Sequence, residues 1–104
     1  MEIRTASAVY TGGGIYIYYG QLASGLFFRT ADEYYGIDIC NADPSTEEAN
    51  YLGFYETHVV EEIPESSEEY IPFWNAMLEH IINGGPAYGN GSNYAIYELE
   101  RRII

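Results

Sequence analysis

Apolar and polar residues alternate along the first forty positions and recur at helical spacing near position 75, and these two rhythms set the expected elements. Residues 2–10 read as a strand, with Ala6, Ala8 and Tyr10 on one face and Ile3, Thr5 and Val9 on the other. Gly12, Gly13 and Gly14 end it, and a second strand runs from Ile15 to Leu22. The turn Ala23-Ser24-Gly25 leads into a third strand, Leu26 to Thr30. Tyr34 to Cys40 reads as a fourth, with Tyr35, Ile37 and Ile39 alternating against Gly36, Asp38 and Cys40. Connections this short imply antiparallel neighbours.

Beyond Cys40 the rhythm changes. Asp43 is suited to capping free amides and Pro44 to the first position of a short helix, which Gly53 is expected to stop. Residues 54–63 alternate again as a strand, with Tyr55, Thr57, Val59 and Ile63 toward the core and Pro64 closing it. A main helix is expected from Ser66 or Ser67, since Ser66 and Glu69 have capping-box spacing, although Pro72 also allows a start near Ile71. Ile71, Trp74, Met77, Leu78, Ile81 and Ile82 form its apolar stripe, and Gly84 and Gly85 end it. Residues 84–93 read as a loop. Tyr94 to Ile103 reads as a closing strand, with Ala95, Tyr97, Leu99 and Ile103 on one face. The fold class is therefore α+β, a single domain over 1–104. It has an antiparallel sheet of roughly five to six strands, the main amphipathic helix on one face and a short extra helix.

Charge narrows the function classes. Sixteen acids stand against four arginines and no lysine, a formal net charge of −12. Between Arg29 and Arg101 lie fifteen carboxylates and no Arg or Lys side chain. Few of those acids have an intrachain cation available, so most are expected to face water and repel one another over roughly 8 Å. Such a field opposes direct binding to nucleic acid, which needs cations to displace counterions, and it opposes adsorption to anionic lipid. No membrane partner is expected. The lone Cys40 fits a reducing compartment, and MEIRTASAVYTGGG lacks the basic-then-apolar pattern of a secretory signal. The expected location is cytoplasmic.

Catalytic and cofactor signals are weak. Cys40 has only His58 and His80 as conceivable partners, in no recognisable catalytic spacing, and its acidic surroundings raise rather than lower a thiol pKa. Neither Glu79-His80 nor His58 with Glu61 or Glu62 has a zinc-site spacing, so no metal or cofactor is expected. Gly12-Gly13-Gly14 leads into a strand pattern and not a helix N-terminus, so it is a turn and not a phosphate loop.

The unusual feature is the pairing of acid with tyrosine. Twelve tyrosines exceed what one small core holds, and exposed tyrosine offers rigid amphipathic contact area. The densest acidic stretch is Glu61, Glu62, Glu65, Glu68 and Glu69, flanked by Tyr70, with Asp32, Glu33, Glu47 and Glu48 as further contributors. In size and charge the chain is similar to the small acidic inhibitors that phages and mobile elements use against restriction or CRISPR nucleases. That likeness covers charge and length and carries over no residue. The expected function is non-enzymatic: these ten residues dock on a basic protein surface, such as that of a nucleic-acid-binding protein, in place of the nucleic acid. The alternatives are a small-molecule-binding or enzymatic domain with a Tyr-lined pocket and His58 or His80 as polar handle, and a homo-oligomeric housekeeping domain paired through a strand edge.

Overall fold

Glycine-bearing turns keep each early strand beside the one before it. A computed structural model of the chain describes residues 1–84 and 97–102. Its strands are β1 (Ile3–Gly12), β2 (Ile15–Leu22), β3 (Phe27–Ala31), β4 (Gly36–Cys40) and β5 (Val59–Pro64). They form one sheet in the order β1-β2-β3-β4-β5 with every neighbour antiparallel. Gly12, Gly13 and Gly14 all take positive φ (97°, 64° and 84°), a tight reversal that side-chain-bearing residues resist. The antiparallel sheet and the α+β class are as expected, and the structure adds the strand order, a simple meander.

Two of the three register shifts in the sheet re-aim particular residues. Ile3 pairs with Leu22 while Thr5 pairs with Gln21, so Arg4 is the extra residue of a bulge. That shift returns Ile3 to the core, against the sequence expectation that placed it with Thr5 and Val9. A second shift between Ile39 and Cys40 makes Val60 the extra residue in β5 and leaves it exposed.

One face of the sheet carries Ala6, Ala8, Tyr16, Tyr18, Phe28, Ile37, Ile39 and Ile63, and helix α2 (Tyr70–Gly84) packs on it. Phe73, Met77, Leu78 and Ile81 are its buried residues, each contributing about 1.5–3 kcal/mol from water exclusion. Phe73 meets Phe28 edge-on at 5.1 Å, and Trp74 meets Tyr18 likewise at 5.0 Å. Ile71, expected in the stripe, is 52% exposed, and Phe73 takes the core position instead. The helix also starts later than Ser66 or Ser67. Ser67 turns the chain by accepting the Glu69 amide on Oγ and the Tyr70 amide on its carbonyl. Pro72 then falls in the first turn, where its missing N–H costs nothing.

The segment after β4 also departs from expectation. Asp43 Oδ1 accepts the Ser45 amide and hydroxyl, a local turn that precedes no helix at that point. A short 3-10 helix follows over Glu47–Asn50, and helix α1 spans Leu52–His58 where a strand was expected. Gly53 lies inside α1 and does not stop it; its carbonyl accepts the Thr57 hydroxyl. The physical reason is that Phe54 alone is buried there, with the His58 ring tilted against it four residues later at 5.0 Å. An i,i+4 pair is a helical contact. Only Val59–Pro64 is strand.

Residues 97–100 are helical, not part of a closing strand. Leu99 is fully buried, and the flanking charges pair at helical spacing: Glu98 with Arg102, and Arg101 over the Tyr97 ring. The expected loop over 85–93 and the strand positions 94–96 and 103 lie outside the described residues. Among the described residues no helix is long and apolar enough to cross a membrane.

Candidate functional site

The face of the sheet opposite α2 carries a charged pair. Arg29 on β3 and Asp38 on β4 are directly opposed in register, and Arg29 Nε donates to Asp38 Oδ2 at 2.9 Å. Asp38 is 3% exposed, and that guanidinium is its counter-ion. Arg29 Nη1 also donates to the Ala49 carbonyl at 2.9 Å, which ties the 3-10 helix down over β3. The guanidinium lies 5.2 Å from the Phe54 ring centroid and 5.9 Å from that of Tyr55. The segment from Pro44 to Tyr55 thus roofs part of this face, and the edge of that roof forms one wall of a cleft.

Tyrosines complete it. The β3–β4 turn places Glu33 in the left-handed region at φ 67° and delivers Tyr34 against Asp38, whose Oδ1 accepts the Tyr34 hydroxyl at 2.9 Å. Glu62 Oε2 accepts the Tyr55 hydroxyl at 3.3 Å and lies 3.4 Å from the Tyr34 hydroxyl oxygen, whose proton goes to Asp38. Gly36 makes room for it, since a Cβ there would stand 3.1 Å from Glu62 Oε1. Burial and the hydrogen bond to Asp38 push the Tyr34 phenol well above its ordinary pKa. The Glu62 charge, ahead of that of Asp38, raises Tyr55 too. With Ile17 and Tyr19 from β2, the residues Arg29, Asp38, Tyr34 and Tyr55 line a cleft of about 380 Å³.

Tyr34 also belongs to a second hollow of about 430 Å³, with Glu33, Tyr35, Glu65, Tyr70 and Arg102 among its walls. Here Asp32 is engaged internally. Its Oδ2 accepts Arg102 Nη1 at 2.6 Å and the Tyr16 amide at 2.9 Å, and its Oδ1 accepts the Tyr18 hydroxyl at 3.1 Å. Burial works to lower the Arg102 pKa, but the Asp32 hydrogen bond and the Tyr18 contacts outweigh it and the net shift is upward. Burial first, then the Asp32 charge, raises Tyr18.

The ten sequence-derived candidates separate in space. Glu33, Glu65, Tyr70 and Asp32 gather round the second hollow, and Glu62 lies beside the first, against the hydroxyls of its wall residues Tyr34 and Tyr55. Glu61 follows Ile39 in register, so it projects to the α2 side while Glu62 projects to the cleft side. Glu68 and Glu69 line a different depression with Met1, Pro72 and Phe73. Glu47 and Glu48 sit on the 3-10 helix, exposed, next to cleft residues Ala49 and Asn50. The sequence reading missed Arg29, Asp38, Tyr34, Tyr55 and Tyr19 as one site. The available signal was the lone central arginine nine positions before an aspartate, a spacing that a short hairpin brings face to face.

The histidines lie apart from the tyrosine cleft. His58 Nδ1 is 2.8 Å from Asn41 Oδ1, and His80 borders a shallow depression with Ala76, Glu79 and Asn83. Cys40 is buried, and burial pushes its thiol up to about 11, so little of it is thiolate near neutrality. Among the described residues no group of three or more His, Cys, Asp or Glu side chains is placed to hold a metal ion. In comparisons with known proteins no family model matches this chain, and neither a curated protein nor a solved structure matches it.

Proposed function

We propose that this protein binds a cationic protein partner through the surface centred on Tyr34. The observation that carries the reading is the position of Tyr34 as a wall of both hollows, with Glu33, Glu62 and Glu65 around it. Arg29 and Arg102, the basic side chains in those walls, are already matched by Asp38 and Asp32. The three glutamates therefore leave a negative field that steers a basic partner, and the tyrosines supply the contact area on which binding energy concentrates. An inhibitor that occupies a nucleic-acid-binding groove is one form of this reading, resting on the same field. A reducing, cytoplasmic setting suits the single buried Cys40.

A second reading draws on the cavity of about 380 Å³, whose size falls among small-ligand sites. The exposed Tyr51 and Leu52, which follow directly on cleft residue Asn50, favour a protein partner over a small ligand.

The test compares capture from source-cell extract by the wild type and by the triple variant Glu33→Lys, Glu62→Lys, Glu65→Lys. A basic protein held by the wild type, released by salt and lost from the variant supports the reading. A captured protein indifferent to both changes contradicts it.

A further inference from the structure

We infer that the cleft between β2 and α1 is a receptor for a single arginine side chain of the partner, an inference that rests on the docking proposed above. Two features of the cleft select the guest's chemistry. Glu62 Oε2 accepts the Tyr55 hydroxyl at 3.3 Å and its carboxylate lies against Gly36, so it is positioned beside the cleft before any guest arrives. Arg29 and Asp38 cancel on the floor, so the charge a guest meets at the rim is that of the exposed Glu62, beside the hydroxyls of the wall residues Tyr34 and Tyr55. A cation is favoured.

The walls select a flat cation. Tyr19, Tyr34 and Tyr55 line the cavity, and Ile17 adds an apolar flank for an alkyl stem. Guanidinium stacks on such rings and pairs with a carboxylate through parallel N–H groups, whereas ammonium is more strongly hydrated and does neither as well. The chain already holds one guanidinium this way: Arg29 pairs with Asp38 while lying near the rings of Phe54 and Tyr55. The guest site repeats that arrangement one layer out, with Glu62 in the role of Asp38. The exposed Ile17, Tyr51 and Leu52 nearby suit a guest carried on a protein surface, which would cover them as it inserts.

The experiment is an NMR titration of the full chain, reading tyrosine ring signals, with N-acetylarginine methylamide as probe. N-acetylcitrulline methylamide serves as its uncharged isostere and N-acetyllysine methylamide as the competing cation. The arginine probe is expected to saturate the Tyr19, Tyr34 and Tyr55 signals in the millimolar range, as a single side chain binds weakly. Citrulline and lysine probes should bind at least about tenfold more weakly, and Glu62→Gln should weaken arginine by about tenfold. Glu79→Gln, remote from the cleft, should change nothing. Equal binding of arginine and citrulline, or indifference to Glu62→Gln in a variant whose wild-type spectrum is otherwise kept, overturns the inference. If the arginine probe fails while a basic partner still depends on Glu33 and Glu65, the arginine receptor falls alone. If the partner too is indifferent to those charges, the docking reading falls with it.

Discussion

Arg29 and Asp38 face one another across β3 and β4 and close a 2.9 Å ion pair beneath the tyrosine cleft. Removing one partner leaves the other charge unpaired. Arg29→Met is therefore expected to cost about 3–5 kcal/mol, because Asp38 is left buried without its counter-ion. Arg29→Met combined with Asp38→Asn should recover part of that loss. Denaturant unfolding of the single and double variants reads the difference, and equal stability of the two would refute the coupling.

Glu33 occupies a left-handed backbone conformation that glycine adopts more easily. Glu33→Gly is expected to raise stability by about 1 kcal/mol while weakening attachment of a basic peptide. The two effects have opposite signs, so thermal unfolding and a peptide titration on the same variant separate them. Gain of stability with unchanged peptide affinity would take Glu33 out of the docking surface.

Alkaline pH should loosen the fold through Tyr18. Its phenol is held above the ordinary value of 10.0, first by burial and then by the Asp32 charge. Above pH 10 the unfolded chain releases that proton while the folded chain keeps it, so the unfolded state binds fewer protons and stability falls as pH rises. Below pH 10 both states hold the proton and the contribution is complete. The Tm is expected to be level to about pH 9 and then to decline, with Tyr18→Phe flattening the decline. A decline of the same slope in Tyr18→Phe would assign the loss elsewhere.

Cys40 should behave as a buried, protonated thiol. With its pKa pushed up to about 11 and no side-chain exposure, it is expected to react with a thiol reagent at pH 8 only after denaturant is added. Prompt reaction in the folded protein would contradict its burial.

The legible parts of the sequence are those governed by local rhythm. The alternation through β1–β4 and the spacing of Met77, Leu78 and Ile81 read correctly because a half-buried strand and an amphipathic helix each impose one period. Residues 54–58 misread because Tyr55 and Thr57 continue the alternation of β5 by chance, while Phe54 is buried under Arg29, a tertiary contact that period counting does not see. Ile3 misread because a bulge is invisible to period counting. The site was legible only as ingredients. Tyrosine and glutamate stood out in composition, but the hydroxyls of Tyr34 and Tyr55 converge on Glu62 from twenty-eight and seven positions away, and no spacing announces that. Adjacent Glu61 and Glu62 looked like one patch, yet strand pleating turns them apart.

The docking claim is tested most directly by mapping amide shifts while a short arginine-rich peptide is added at low and at physiological salt. Saturable shifts concentrated at Glu33, Tyr34, Tyr35, Glu62 and Glu65, weakening as salt rises, are the expected result. Shifts spread evenly over Glu47, Glu48, Glu61, Glu68, Glu69 and Glu79, without saturation, would mean that the acidic surface attracts cations everywhere and docks them nowhere.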